Sequence, residues 1–192
     1  MRTRISLLAA LAVCLLAASP AQAQKRNLLL IGDSLAVGIQ PTLPGMLPGF
    51  DIATNARVGR PLAEGMQIIR SRDRLPKVMA VSLFTNDDPR RVDALVSAAR
   101  EVLRRQGQGC VIWSTIVRPA VGGVSYYKAN RALRRLAADP KTNGRLVIVP
   151  WDLAVNGRSY FMSGDGVHPT DAGYKLRARM YAKAARKAAC DR

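Results

Sequence analysis

Several kinds of residue are scarce in this sequence, and each shortage removes a class of function. Histidine occurs once, at His168, and cysteine three times, at Cys14, Cys110 and Cys190. So few imidazole and thiol ligands argue against a structural zinc site, which draws four ligands from these residue types. Aromatic residues make up 5% of the chain. No segment joins a basic recognition helix to stacking aromatics, so specific nucleic-acid binding is not expected. Acidic residues number 13 against 30 lysines and arginines, a formal charge of +17. Such a balance favours contact with anionic surfaces such as acidic polysaccharide, cell-wall polymer or lipid head groups. The basic residues are scattered, however, in pairs such as Arg90-Arg91, Arg104-Arg105 and Arg134-Arg135. An arginine-rich solvated surface has the same pattern, so charge alone names no partner.

Long apolar runs are also scarce. The single one, Ile5 to Ala18, follows Arg2 and Arg4 and precedes Ala21-Gln22-Ala23. A basic head, a short apolar run and a small-x-small site read as a secretory signal peptide over residues 1–23. At about 14 residues the run is short for about 30 Å of hydrocarbon, which disfavours an uncleaved anchor. Val13 before Cys14 disfavours a lipid-modified N-terminus. The mature chain, 24–192, is therefore expected in the periplasm or outside the cell, with no transmembrane segment. Losing Arg2 and Arg4 with the leader lowers its formal charge to +15. In an oxidising compartment Cys110 and Cys190 can pair, but only if their Cα atoms come within about 7 Å, which sequence does not decide. The length suits one domain with a sizeable core. No repeat or linker divides it, and it is read as a monomer.

Short apolar runs alternate with helical patterns from Asn27 onwards. Strands are predicted at Asn27–Ile31, Asp51–Asn55, Lys77–Phe84, Cys110–Val117 and Leu146–Trp151. Helical patterns run from Ser34 to about Leu47, from Pro61 to Arg72 and from Asp88 or Pro89 to Arg105. Two more cover Ser125–Ala138 and Thr170 or Asp171 to Ala189. This alternation predicts an α/β fold, a parallel sheet with helices on both faces. In such sheets the working groups lie beyond the carboxyl ends of the strands.

Strand one runs into Gly32-Asp33-Ser34-Leu35. A serine at that junction is either a helix N-cap or a nucleophile held in a tight turn. In the second case the N–H groups of the following helix face the developing charge. The lipase-type Gly-x-Ser-x-Gly elbow is not met, because Ala36 replaces its second glycine. His168, in Asp165-Gly166-Val167-His168-Pro169 after strand five, decides between the two readings. Asp165 and His168 share one turn, so the carboxylate can orient the imidazole and leave its other nitrogen for the serine proton. The plainer reading of His168 is a surface residue capping the last helix.

Taken in order, Gly32-Asp33-Ser34-Leu35, Gly59, Thr85-Asn86-Asp87 and Asp165-x-x-His168-Pro169 resemble the sequence blocks of the SGNH (GDSL) hydrolases. The resemblance spans nearly all the mature chain. It implies a three-layer α/β/α, flavodoxin-like fold whose five-stranded parallel sheet has the order 2-1-3-4-5. It implies a Ser34–His168–Asp165 triad, and an oxyanion hole from the Ser34 N–H, the Gly59 N–H and the Asn86 amide. It implies no metal or organic cofactor. The sequence departs from the family at Phe84, where glycine usually precedes the third block, and this bears on the loop around Asn86. On their own residues, Asn86 also reads as a turn residue before a helix and Gly59 as a turn glycine. Asp33 and Asp87 read as loop braces.

The function so implied is hydrolysis of small acyl esters, free or carried on a polysaccharide. Arg57, Arg60 and Arg118 are candidates for the pocket mouth, where they would favour an anionic substrate; surface arginines are the alternative. An acyltransferase acting on envelope carbohydrate and a non-catalytic basic envelope-binding module remain as other classes.

Overall fold

Apolar runs buried on both faces set the architecture. A computed structural model describes residues 24–188; the expected leader and Cys190 lie outside the described residues. The strands are β1 (Arg26–Gly32), β2 (Phe50–Ala56), β3 (Val78–Ser82), β4 (Cys110–Ser114) and β5 (Leu146–Val149). They form one sheet in the order β2-β1-β3-β4-β5, every pair parallel, as expected. The helices are α1 (Ser34–Ile39), α2 (Leu43–Met46), α3 (Leu62–Arg70), α4 (Val92–Gln106), α5 (Tyr127–Ala138), α6 (Trp151–Val155) and α7 (Asp171–Lys187).

The alternating direction of strand side chains explains the three layers. In β1, Leu29 and Ile31 join Met79, Val81, Val111 and Trp113 beneath α3, α4 and α5. Leu28 and Leu30 face the other way, with Val78, Ala80 and Ile112 against α1, α2 and α7. Burying each such leucine or isoleucine contributes about 1.5–3 kcal/mol, so the central strands β1, β3 and β4 anchor both layers. Cys110, at the start of β4, is buried and disulfide-bonded. The expected pairing with Cys190 falls on a residue outside those described. Among the described residues no helix is long and apolar enough to cross a membrane.

The departures from expectation have local causes. The helical stretch after β1 breaks into α1 and α2 around Pro41, which cannot donate a helical hydrogen bond. Pro61 is the N-cap of α3 and not its first turn. The Leu62 N–H there is satisfied by Asp87 Oδ2 at 2.8 Å. Helix α4 starts later than expected because the Asp88 carboxylate accepts from the Arg90 N–H at 2.9 Å, a side-chain turn that competes with helix. β5 ends early because Trp151 opens α6.

β3 stops at Ser82 because Phe84 has a φ of +84°. That left-handed region suits glycine and strains a bulky side chain, at a cost of about 1–3 kcal/mol. The Phe84 ring is fully buried and meets Tyr126 edge-on at 6.2 Å, so its packing holds the strained backbone in place. Phe84→Ala loses the ring, at about 3–5 kcal/mol, and keeps the strain. Phe84→Gly loses the ring and recovers the strain. Urea unfolding should therefore rank wild type above Phe84→Gly above Phe84→Ala, the reverse of the usual alanine–glycine order. Equal midpoints for the two variants would show that the turn is unstrained.

Candidate active site

The site lies at the carboxyl ends of the strands, where the segments after β1, β2, β3 and β5 meet. At the end of β1 the backbones are so close that a Cβ on Gly32 would sit 2.4 Å from Ala36 Cβ and 2.8 Å from the Ser82 oxygen. Asp33 then turns the chain. Its N–H donates to the Ser82 carbonyl at 2.9 Å, and its carboxylate accepts from the Leu35 N–H at 3.0 Å. Asp33 is thus the N-cap of α1 and a loop brace, as expected. Ser34 is therefore not the cap, and its hydroxyl is free for another partner.

That partner is His168. Nε2 lies 2.9 Å from Ser34 Oγ, and Nδ1 lies 2.6 Å from Asp165 Oδ2. The Asp165–His168 turn is built to hold this pose. Asp165 Oδ1 accepts from the N–H groups of Val167 and His168, each at 2.9 Å, and from Ser163 Oγ at 2.7 Å. The turn is closed by the Ser163 N–H donating to the His168 carbonyl at 2.8 Å, and Gly166 takes the positive φ it needs. The imidazole contact, followed by these N–H donors and the Ser163 hydroxyl, holds the Asp165 carboxyl well below the usual carboxylate range. A depressed carboxylate contributes stability above its unfolded pKa and loses it only as pH falls through the folded value. Asp165 is therefore ionised at any pH where imidazole can be neutral. The two side chains are 42% and 50% exposed for His168 and Asp165, so the site is open to solvent.

Gly59 has a φ of +72°, and a Cβ there would meet nothing within 4 Å. Neither its N–H nor that of Ser34 donates to a protein group among the described residues. Asn86 is held from both ends. Its Nδ2 donates to the Arg60 carbonyl at 3.2 Å, and its Oδ1 lies 3.4 Å from Arg118 Nη1. The amide's second N–H remains available. The loop after β2 and the loop after β3 are thereby tied to each other.

The arginines divide. Arg60, a candidate for the pocket mouth or else a surface arginine, is neither: it is 4% exposed and faces inward. Its guanidinium binds the Gly32 carbonyl at 3.1 Å, Asn55 Oδ1 at 2.9 Å and Glu64 at 3.1 Å. It thus buttresses the turn that carries Ser34. Arg57 is exposed and ion-paired with Glu64. Arg118 has no carboxylate partner among the described residues; it donates to the Thr85 carbonyl at 2.7 Å, beside Asn86. Its loop is anchored by Asn130, whose amide donates to the Ile116 carbonyl and accepts from the Ile116 N–H, both at 2.8 Å.

Sequence reasoning missed Ser163, which holds the Asp165 carboxylate, Ser82, which accepts the Asp33 N–H, and Asn130. Asn130 lies on the buried stripe of α5 with Ala129 and Leu133. An amide on an apolar stripe is costly unless it is hydrogen-bonded, and that placement was the signal for a bracing role. Among the described residues no group of histidine, cysteine or carboxylate side chains is placed to hold a metal.

The fold is that of the SGNH (GDSL) hydrolases. No family model matches the chain, and no curated protein matches it in sequence. Solved structures do match. One is the C-terminal catalytic domain of a peptidoglycan O-acetyltransferase from Streptococcus pneumoniae, carrying a methylsulfonyl adduct. It is 23% identical with a TM-score of 0.69, over 86% of this chain and 95% of that one. Another is a member of the lipolytic G-D-S-L family from Veillonella parvula. It is 16% identical with a TM-score of 0.66, over 84% of this chain and 98% of that one. A GDSL-like lipase from Bacteroides thetaiotaomicron is 18% identical with a TM-score of 0.64, over 85% of this chain and 89% of that one.

Proposed function

We propose that the protein is an exported serine ester hydrolase that cleaves short acyl esters, with Ser34 as nucleophile. The observation that carries this reading is the chain of hydrogen bonds Asp165–His168–Ser34 at the carboxyl edge of the sheet. His168 Nε2 takes the Ser34 proton as Oγ attacks the ester carbonyl, and Asp165 stabilises the imidazolium. The carbonyl oxygen becomes an oxyanion, received by the Ser34 N–H, the Gly59 N–H and the Asn86 amide. His168 then gives its proton to the leaving alcohol as the C–O bond breaks. Water, deprotonated by His168, attacks the acyl-enzyme; collapse returns a carboxylic acid and the Ser34 hydroxyl.

Arg118, beside Asn86 and without a carboxylate partner among the described residues, supports a substrate bearing an anionic group near the ester. The exposed triad favours acyl groups presented on a polymer over long chains buried in a tunnel. A second reading, acyl transfer to a carbohydrate hydroxyl, is favoured by the likeness to the O-acetyltransferase domain. An intact, hydrogen-bonded triad speaks against a non-catalytic binding module.

The test is hydrolysis of p-nitrophenyl acetate, butyrate and octanoate by the mature protein, with and without added carbohydrate acceptor. Hydrolysis falling with chain length supports the esterase. Acylated acceptor as the main product replaces it with the transferase, and a folded but inert protein removes both. Within this reading Asn86→Ala should lower kcat by about 10²–10³ with KM little changed, the size of one oxyanion donor. An unchanged kcat in that variant removes Asn86 from the hole.

A further inference from the structure

A buried arginine and a buried carboxylate, bridged by one serine hydroxyl, lie behind the turn that carries Ser34, and the chemistry of the triad does not use them. Arg177, on α7, is 1% exposed, and Asp33 is 0% exposed. Arg177 Nη2 donates to Ser82 Oγ at 3.1 Å, and Ser82 Oγ donates to Asp33 Oδ1 at 3.3 Å. Asp33 Oδ1 in turn accepts the Leu35 N–H, the amide that follows Ser34. The guanidinium carbon lies 5.2 Å from the centre of the Trp151 ring and 5.6 Å from that of Tyr181, cation–π contacts open to any cation there. Asp33 Oδ2 and Arg177 Nε and Nη1 are buried with no hydrogen-bond partner.

Two buried charges joined only through a hydroxyl, with atoms left unsatisfied, are a poor way to stabilise a core, because an apolar residue of similar volume usually does as well or better. Stability therefore gives no reason for an arginine at this position on α7. Asp33 does give one. Burial is the largest influence and leaves its carboxyl raised overall, while the charge of Arg177 pulls it back down and Leu35 N–H, Thr85 and Ser82 add to that pull. Tyr174 and Tyr181, also on α7, are the other titratable groups that feel its charge. A protonated Asp33 would lose its charge-assisted hold on the Leu35 amide and loosen the turn.

We propose that Arg177 is a positioning residue: through Ser82 it holds the Asp33 side chain in place, and Asp33 fixes the turn that presents the Ser34 hydroxyl and N–H. The proposal rests on Ser34 being the nucleophile. It assigns Arg177 no contact with substrate.

The test uses the mature protein and four variants, Arg177→Met, Arg177→Lys, Asp33→Asn and the double variant Asp33→Asn/Arg177→Met. Folding is checked by circular dichroism, and kcat and KM are measured on p-nitrophenyl acetate. Arg177→Met should lower kcat by about 10- to 100-fold, the scale of a displacement near 1 Å, with KM within about threefold. Arg177→Lys should stay near wild type. The double variant should melt higher than Arg177→Met, since an amide needs no counter-charge. An unchanged kcat in folded Arg177→Met, or melting shifts of the two single variants that simply add, overturns the proposal. If Arg177→Met does not fold, recovery of folding in the double variant supports the pair and its failure overturns it. A wild type no more active than Ser34→Ala would sink the nucleophile assignment and the positioning role with it. The melting shifts would then still decide whether Arg177 and Asp33 are coupled.

Discussion

Ser34→Ala should lower kcat for p-nitrophenyl acetate by about 10⁴–10⁶-fold, to the background left by the oxyanion donors and binding alone. The structure makes this a clean substitution. The hydroxyl's hydrogen-bond partner is the His168 ring, and the capping of α1 falls to Asp33. Alanine is also a good helix former at this first helical position. The variant should accordingly melt close to wild type while its activity disappears. Rates measured beside a melting curve check both halves at once. Retained activity at a tenth or more of wild type would mean that the nucleophile is elsewhere.

His168→Ala should cost kcat about as much, and the double variant with Ser34→Ala should be no worse than either alone. Residues that act as one unit lose their joint contribution with the first deletion. The structural cost should again be small. What holds the turn is the His168 backbone, through its N–H to Asp165 and its carbonyl to Ser163, and these bonds survive the substitution. Additive losses in the double variant would show that the two side chains work separately, which the 2.9 Å contact does not allow for.

Much of this architecture is written in the chain, and the exceptions have physical reasons. The apolar runs of β1, β3 and β4 announce those strands because central strands of a parallel sheet are buried on both faces. The Asp165-x-x-His168 turn is visible because its residues are local and histidine occurs once. Arg177 is hidden among Lys175, Arg179, Lys183 and Arg186, which share its basic character. Its place on the stripe of Gly173, Ala178 and Tyr181 is the available signal. Arg60 has a glutamate four residues on, at Glu64, a spacing that marks an intrahelical or capping ion pair more readily than a substrate site. The strain at Phe84 has no sequence pattern of its own. It emerges only because a glycine-like φ and a buried ring fall on the same residue.

The segment that carries Asp165 and His168 is sewn to itself. Met162 pairs with Pro169, the Thr170 N–H donates to the Phe161 carbonyl at 3.1 Å, and Ser163 reaches both halves of the dyad. Asp165 and His168 are therefore held in one hydrogen-bonded turn. Of the two contacts in the relay, Asp165–His168 lies within that turn, and only His168–Ser34 joins segments distant in sequence. On the proposed mechanism, a displacement of that turn against the sheet would therefore register in a single distance, the one between His168 Nε2 and Ser34 Oγ.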